Sequence, residues 1–293
     1  KMKTPRIASA INRGRRENLE DALAAFHFRL HQPGDLEVTW MVACDGVGGE
    51  QFGEVASALA IRHIGWALTG SLLDIELLTC APVSPDSILA MLCQAIKGAN
   101  EAVLEEAARR GVEGMATTAV CTIVIHDMLF VVSAGDSRCY VYTAKGIRQI
   151  TRDHSETQDL IDAGLLDPWG ATFHPLAHYI NRYLGQREGF LPDTRLCPLA
   201  TGDIVLISTD GMTDVLSADD MAAMVRDYRR GVFPFDELPD RLVQAALAAG
   251  TTDNVSVLCY EHPSRSPADE PYLSRTLTAS YASAVARTLQ NPM

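Results

Sequence analysis

The chain has 293 residues, with 25 Lys and Arg against 37 Asp and Glu, a formal net charge of −12. A folded chain of that length buries roughly three quarters of its unfolded surface, enough for a substantial core in one large domain or two small ones. With 47% hydrophobic and 21% charged residues it is not disordered, collagen-like or coiled-coil, and its negative balance disfavours non-specific binding to nucleic acid or anionic membrane. The cysteines at 44, 80, 93, 121, 139, 197 and 259 include no Cys-x-x-Cys pair and sit mostly in apolar runs, which reads as reduced core thiols in a cytoplasmic protein. No apolar run reaches the roughly 18 residues of a membrane span, and none follows Lys1-Met2-Lys3 as a secretion signal requires.

In chain order, Val38 to Cys44 is apolar and β-branched and stops at Asp45-Gly46-Val47-Gly48-Gly49, a buried strand running into a glycine loop. Ala56 to Leu68 has helical character. Ser84-Pro85-Asp86 opens a longer helix, with serine as cap, proline where its missing N–H costs nothing and aspartate favoured by the dipole. Its apolar stripe includes Ile88, Leu92, Ile96 and Val103, and Gly111 ends it. Thr117 to Ile125, Leu129 to Ala134 and Cys139 to Tyr142 are β-rich runs, most simply an antiparallel meander with a His126-Asp127 hairpin between the first two. Ser155 and Gln158 predict a capping box, with Gly164 closing that helix. The segment 165–185 has little periodicity and reads as a long surface loop. Ile204 to Ser208 is a buried strand ending at Thr209-Asp210-Gly211; a helix from Ser217 and a second one up to Ala249 follow. Asp253-Asn254 precedes the last strand, Val255 to Tyr260. Residues 261–293 then form a Pro-, Ser- and Ala-rich tail, helical from Pro271 to Leu289 or disordered, which leaves 1–260 as the principal domain.

Several strands therefore begin or end at an aspartate: Asp45, Asp136, Asp210 and Asp253, with Glu20-Asp21 adding two carboxylates near the N-terminus. A single such aspartate commonly starts a turn. If these strand ends converge, the carboxylates cannot all stay ionised at short range without a cation. Oxygen-only donors suit magnesium or manganese, whereas zinc calls for His and Cys at ligand spacing. Two such ions bridged by a carboxylate can hold a hydroxide nucleophile and clamp an in-line phosphoryl displacement, with a fixed guanidinium completing the phosphate site.

The ordered segments Arg16-Glu17-Asn18-Leu19-Glu20-Asp21, Asp45-Gly46-Val47-Gly48-Gly49, Gly114-Met115-Ala116-Thr117-Thr118, Gly135-Asp136-Ser137-Arg138, Thr151-Arg152-Asp153-His154-Ser155, Asn181-Arg182-Tyr183-Leu184-Gly185, Thr209-Asp210-Gly211 and Asp253-Asn254 resemble the metal-dependent protein phosphatase 2C family in its compact bacterial form. The resemblance runs from about Ala8 to Tyr260. It implies an α+β fold, a four-layer sandwich of two antiparallel β-sheets flanked by helices, with Mn2+ or Mg2+, two ions or three, in a cleft at one end.

Carried over position by position, the resemblance implies that Asp45 bridges two metals and Gly46 offers its carbonyl to one. Asp210 and Asp253 hold the first ion, Glu20 holds the second through water, and Asp21 orients metal waters. Arg16 binds the substrate phosphate, Asp136 with Asp210 matches a third-metal site, and 165–185 corresponds to a substrate-facing flap. The implied substrates are phosphorylated Ser/Thr proteins, opposite a cognate Ser/Thr kinase.

Val47 stands where animal members carry a histidine as general acid, and Glu50 where bacterial relatives commonly have one, so a metal-bound water is the default proton donor. His154, Arg138 and Arg182 have structural readings as well as functional ones. Arg15 is the phosphate ligand if the register is off by one. The alternative from another class is a catalytically silent relative that binds phosphoproteins or regulates a partner. A two-metal nuclease is disfavoured by the net charge.

Overall fold

The computed structural model describes residues 4–30, 36–47, 52–73, 84–167, 170, 174–176 and 179–263. Among the described residues ten strands form two antiparallel sheets of five. They are β1 (Arg6–Asn12), β2 (Asp21–Leu30), β3 (Leu36–Asp45), β4 (Ala119–Ile125), β5 (Met128–Ala134), β6 (Arg138–Thr143), β7 (Gly146–Gln149), β8 (Asp193–Pro198), β9 (Ile204–Ser208) and β10 (Val255–Glu261). One sheet has the order β1-β10-β9-β6-β7 and the other β2-β3-β4-β5-β8. The helices are α1 (Gly53–Leu73), α2 (Pro85–Arg110), α3 (Glu156–Asp162), α4 (Asp210–Thr213), α5 (Ala218–Arg229) and α6 (Leu238–Ala248).

The layers follow from alternation along each strand. In β3, Trp40, Val42 and Cys44 face α1 and α2, packing with Ala60, Ile64, Leu92 and Ile96. Met41 and Ala43 between them face the other sheet, meeting Val131, Val141, Ile207 and Leu258. The outer face of that second sheet, through Leu206, Val257 and Cys259, packs on Val225 of α5 and Leu242 and Ala246 of α6. Both faces of the central strands are thus covered, which explains why β4 and β5 read as nearly continuous apolar runs, broken only by buried Thr122 and Ser133, although they are antiparallel. The result is the expected four-layer sandwich. Six cysteines among the described residues are free thiols.

Three local expectations need correction. β4 and β5 do form a hairpin, with Ile125 opposite Met128, but β6 does not continue the meander. After Gly135-Asp136-Ser137 the chain crosses to the other sheet, where β6 pairs with β9 and β7, because its Cys139 and Val141 fill the space between the sheets. Ser155 caps α3 by accepting from the Gln158 N–H, yet the Gln158 amide donates to Asp162 instead of returning to Ser155, so the box is half made. Leu184 is fully buried and pairs with Thr117, so the end of the 165–185 segment is core. By contrast Ser84, Pro85 and the left-handed Gly111 bound α2 as predicted. The expected tail from 264 onward lies outside the described residues.

Candidate metal centre

Strand register sets the site. Asp21 at the start of β2 lies opposite Asp45 at the end of β3. Arg138 pairs with Ser208 and Asn12 with Val255, so Asp136, Asp210, Asp253 and the loop after Asn12 all emerge at the same end of the sandwich. There Arg16, Glu20, Asp45, Gly46, Asp136, Asp210 and Asp253 line one cleft of about 390 Å³. All the expected site residues except Asp21 are therefore brought to one cavity. Asp21 is buried beside it, its Oδ2 accepting from Ser256 Oγ at 2.6 Å and Thr209 Oγ1 at 2.9 Å.

Neighbouring strands fix the backbone of each carboxylate. The Asp45 N–H donates to Thr118 Oγ1 at 3.0 Å, and its carbonyl accepts from the Thr118 N–H and Thr117 Oγ1, both at 2.8 Å. Thr118 Oγ1 also lies 2.7 Å from Ser137 Oγ, tying β3 to the crossing that carries Asp136. The Asn254 side chain clasps the loop between β1 and β2. Its Nδ2 donates to the carbonyls of Arg13 (2.7 Å) and Asn18 (3.1 Å), and its Oδ1 accepts from the Glu20 N–H at 2.6 Å. Arg16 completes the rim with a 2.5 Å bond from Nη2 to Asp253 Oδ2.

The electrostatics are those of crowded acids. Desolvation, followed by the charges of Asp210, Asp21 and Asp136, pushes the Asp45 carboxyl well above the usual range. Desolvation raises Asp136 likewise, with Asp210, Asp153 and Asp214 adding to it. Burial carries Asp21 up to about 7 against the pull of Ser256 and Thr209, and among the described residues its Oδ1 has no hydrogen-bond partner. Desolvation also lifts Glu20, which Arg16 partly offsets.

Six carboxylates and one guanidinium line the described cleft, with no histidine or cysteine. This excess of hard oxygen donors fits magnesium or manganese. Among the described residues no three of these side chains already surround a common point in ligand geometry, so the fit rests on donor chemistry and charge.

Other candidates fall outside the cleft. His154 is fully buried, with Nδ1 accepting from the Gly135 N–H and Nε2 3.3 Å from Asp193. Arg138 makes a bidentate pair with Asp153, its shortest contact 2.6 Å, and Arg182 bonds Asp193 at 2.6 Å. Both are structural partners. Arg16, not Arg15, lines the cavity. Val47 lines it too, held by its N–H to the Ala116 carbonyl, while Gly48 to Glu50 lie outside the described residues. Asp214 was missed, although it follows Asp210 by one helical turn. The clasp by Asn254 had no signal of its own, because its partners are backbone atoms some 240 positions away.

Residues 10–248 match the family described as protein phosphatase 2C. The serine/threonine phosphatase stp of Listeria monocytogenes serotype 4b is 30% identical over 254 residues, covering 85% of this chain and 93% of that protein. The solved serine/threonine phosphatase PstP/Ppp of Mycobacterium tuberculosis superposes with a TM-score of 0.72 at 28% identity, covering 88% of this chain and 98% of that one. The solved catalytic domain of the phosphatase PstP in complex with two manganese ions gives 0.68 at 29% identity, covering 88% and 97%. Since the matched stretch covers most of the chain and carries every cleft carboxylate but Asp253, the chain belongs to the protein phosphatase 2C family of enzymes.

Proposed function

We propose that the protein hydrolyses phosphoserine and phosphothreonine on other proteins in a reaction that depends on manganese or magnesium. The observation that carries this reading is Arg16 sharing one cleft with six carboxylates: a fixed cation for phosphate beside oxygen donors for hard ions. In this reading Asp45, the Gly46 carbonyl, Asp210 and Asp253 would hold the ions, with Asp45 serving more than one of them. Glu20 would hold a further ion through water, Asp136 with Asp210 would serve a third, and Asp21 would orient water through its Oδ1, which has no hydrogen-bond partner among the described residues. Bound there, such ions supply Lewis-acid polarisation of the phosphoryl oxygens and lower the pKa of water.

The chain's own residues supply the rest. Asp253 aims the Arg16 guanidinium, whose remaining N–H donors grip the phosphate oxygens and hold the phosphorus for attack. Water attacks directly, since no cysteine lines the described cleft and its carboxylates would be taken up as metal ligands. Val47 has no ionisable proton and no histidine lines the described cleft, so water protonates the leaving serine or threonine oxygen. A Ser/Thr kinase acting on the same proteins is the implied counterpart. The free thiols support a cytoplasmic setting, and among the described residues no helix is long and apolar enough to cross a membrane.

The test is hydrolysis of p-nitrophenyl phosphate and a phosphothreonine peptide with manganese, with EDTA, and by Asp210→Asn. Turnover that needs both the metal and Asp210 is expected. An Asp210→Asn protein with wild-type turnover would refute the assignment, and inactivity of folded, manganese-loaded wild type would favour a silent phosphoprotein-binding relative.

A further inference from the structure

The loop that delivers Arg16 carries two more arginines, Arg13 and Arg15, to which the phosphate site gives no task. Among the described residues many arginines pair with carboxylates: Arg6 with Glu261, Arg138 with Asp153, Arg152 with Asp159 and Asp162, and Arg241 with Glu237. Arg13 and Arg15 are exposed, and among the described residues neither pairs with a carboxylate. Arg13 donates only to the Glu17 carbonyl, at 3.1 Å.

The loop is also built to stay in place. Gly14 adopts φ 60°, and a Cβ there would collide with the Asp253 carbonyl, so the chain presses directly on the wall of the cleft. The Gly14 N–H donates to Asn12 Oδ1 at 2.8 Å, and the Arg15 N–H donates to the carbonyl of the cleft residue Thr252 at 3.2 Å. The Asn254 amide holds the Arg13 carbonyl from the other side. Two arginines that pair with no described carboxylate are thereby carried on a loop whose backbone is anchored against the wall of an acidic cleft.

Resting on the phosphatase reading, we infer that Arg13 and Arg15 select substrates, favouring phosphoproteins with Asp or Glu close to the phosphorylated residue. An acidic flank that approached this cleft without them would meet six carboxylates and be repelled; beside them it forms ion pairs while its phosphate reaches Arg16.

The experiment compares two phosphothreonine peptides, one flanked by Asp and Glu and one by Asn and Gln, each rate normalised to p-nitrophenyl phosphate turnover by the same protein with manganese. For the wild type, kcat/KM should favour the acidic peptide about three- to tenfold, the range that two exposed ion pairs supply. The preference should lie in KM and fade in about 0.5 M salt. In Arg13→Gln/Arg15→Gln it should fall to about one. Arg15→Gln alone, which removes no side-chain hydrogen bond, should lower it at least part of the way and guards against disturbance of the loop. A wild type without preference, or variants that keep it, overturns the inference. Absence of p-nitrophenyl phosphate hydrolysis by the wild type overturns the phosphatase reading and this inference with it.

Discussion

Replacing Asn254 with alanine removes at once the two bonds its Nδ2 donates to Arg13 and Asn18 and the one its Oδ1 accepts from Glu20. Each is worth about 0.5–1.5 kcal/mol net. Arg13 and Asn18 are exposed residues whose carbonyls regain water, whereas the Glu20 N–H at the cleft is harder to resolvate, so the loss should be about 2–3 kcal/mol. At ~2–4 °C per kcal/mol for a domain of this size the melting temperature should fall by about 4–12 °C. Because Arg16 and Glu20 ride on the released loop, kcat/KM for p-nitrophenyl phosphate should drop at least about tenfold, the scale that small misplacements of positioning groups produce. Guanidinium unfolding in EDTA, which removes any contribution from bound metal, and turnover with manganese provide the measurements. Asn254→Asp should do no better, since it keeps one acceptor but turns an oxygen toward two carbonyls beside Asp253. An alanine variant within about 0.5 kcal/mol of wild type and with undiminished turnover would refute the clasp.

Gly211→Ala places a Cβ against the Asn254 carbonyl oxygen and the Asp253 side chain; backbone must move, and a loss of more than about 3 kcal/mol with collapse of turnover is expected from denaturant melts and assay. Arg138→Met should cost about 3–5 kcal/mol, because it strands the buried Asp153 carboxylate; the residual folded fraction should keep its KM, and a shifted KM would return Arg138 to the substrate site. Hydrogen bonding from His154, with help from Arg182, holds the Asp193 carboxyl below its ordinary range. Its folded pKa is depressed, so the stabilisation is present above the unfolded value of about 3.9 and is lost as pH falls below it. Asp193→Asn should therefore lower stability at neutral pH and flatten the acid limb of a stability–pH curve; an unchanged acid limb contradicts the pairing.

The helices and central strands were legible because their signals are local and mutually consistent. Ser84, Pro85 and Gly111 bound α2 by cap, proline and left-handed terminus, and β3, β4, β5, β9 and β10 are apolar on both faces. The edge strands were not legible. β1, β2, β7 and β8 are flanked on one side only, and β1 mixes Arg, Ser and Asn with Ala and Ile while β8 ends in Pro198. β6 read correctly as a strand but was assigned to the wrong sheet, since periodicity reports that Cys139 and Val141 are buried and not by which neighbours. In the site, aspartates at strand ends were visible as a set, and family resemblance supplied their order. What fixes them was not visible: the grip of Thr117, Thr118 and Ser137 on Asp45 and the reach of Asn254 to Arg13 depend on register between distant strands.

That register also determines where the molecule tolerates electrostatic cost. Pairing β2 with β3 sets Asp21 opposite Asp45, and like charges across a strand pair are destabilising. The crossing after β5 and the turns at β9 and β10 then bring Asp136, Asp210 and Asp253 to the same end, and Arg16 is the only guanidinium lining the described cleft. Folding therefore concentrates repulsion at one pole, offset by three apolar clusters that run through every layer of the sandwich. A site assembled this way gains from any hard cation that enters it, because the cation relieves repulsion that the rest of the fold already sustains. The same logic makes the rim loop informative. Where, among the described residues, Arg13 and Arg15 meet no carboxylate beside so acidic a cleft, the partner complementary to their charge is an anion that must approach against the field of the site.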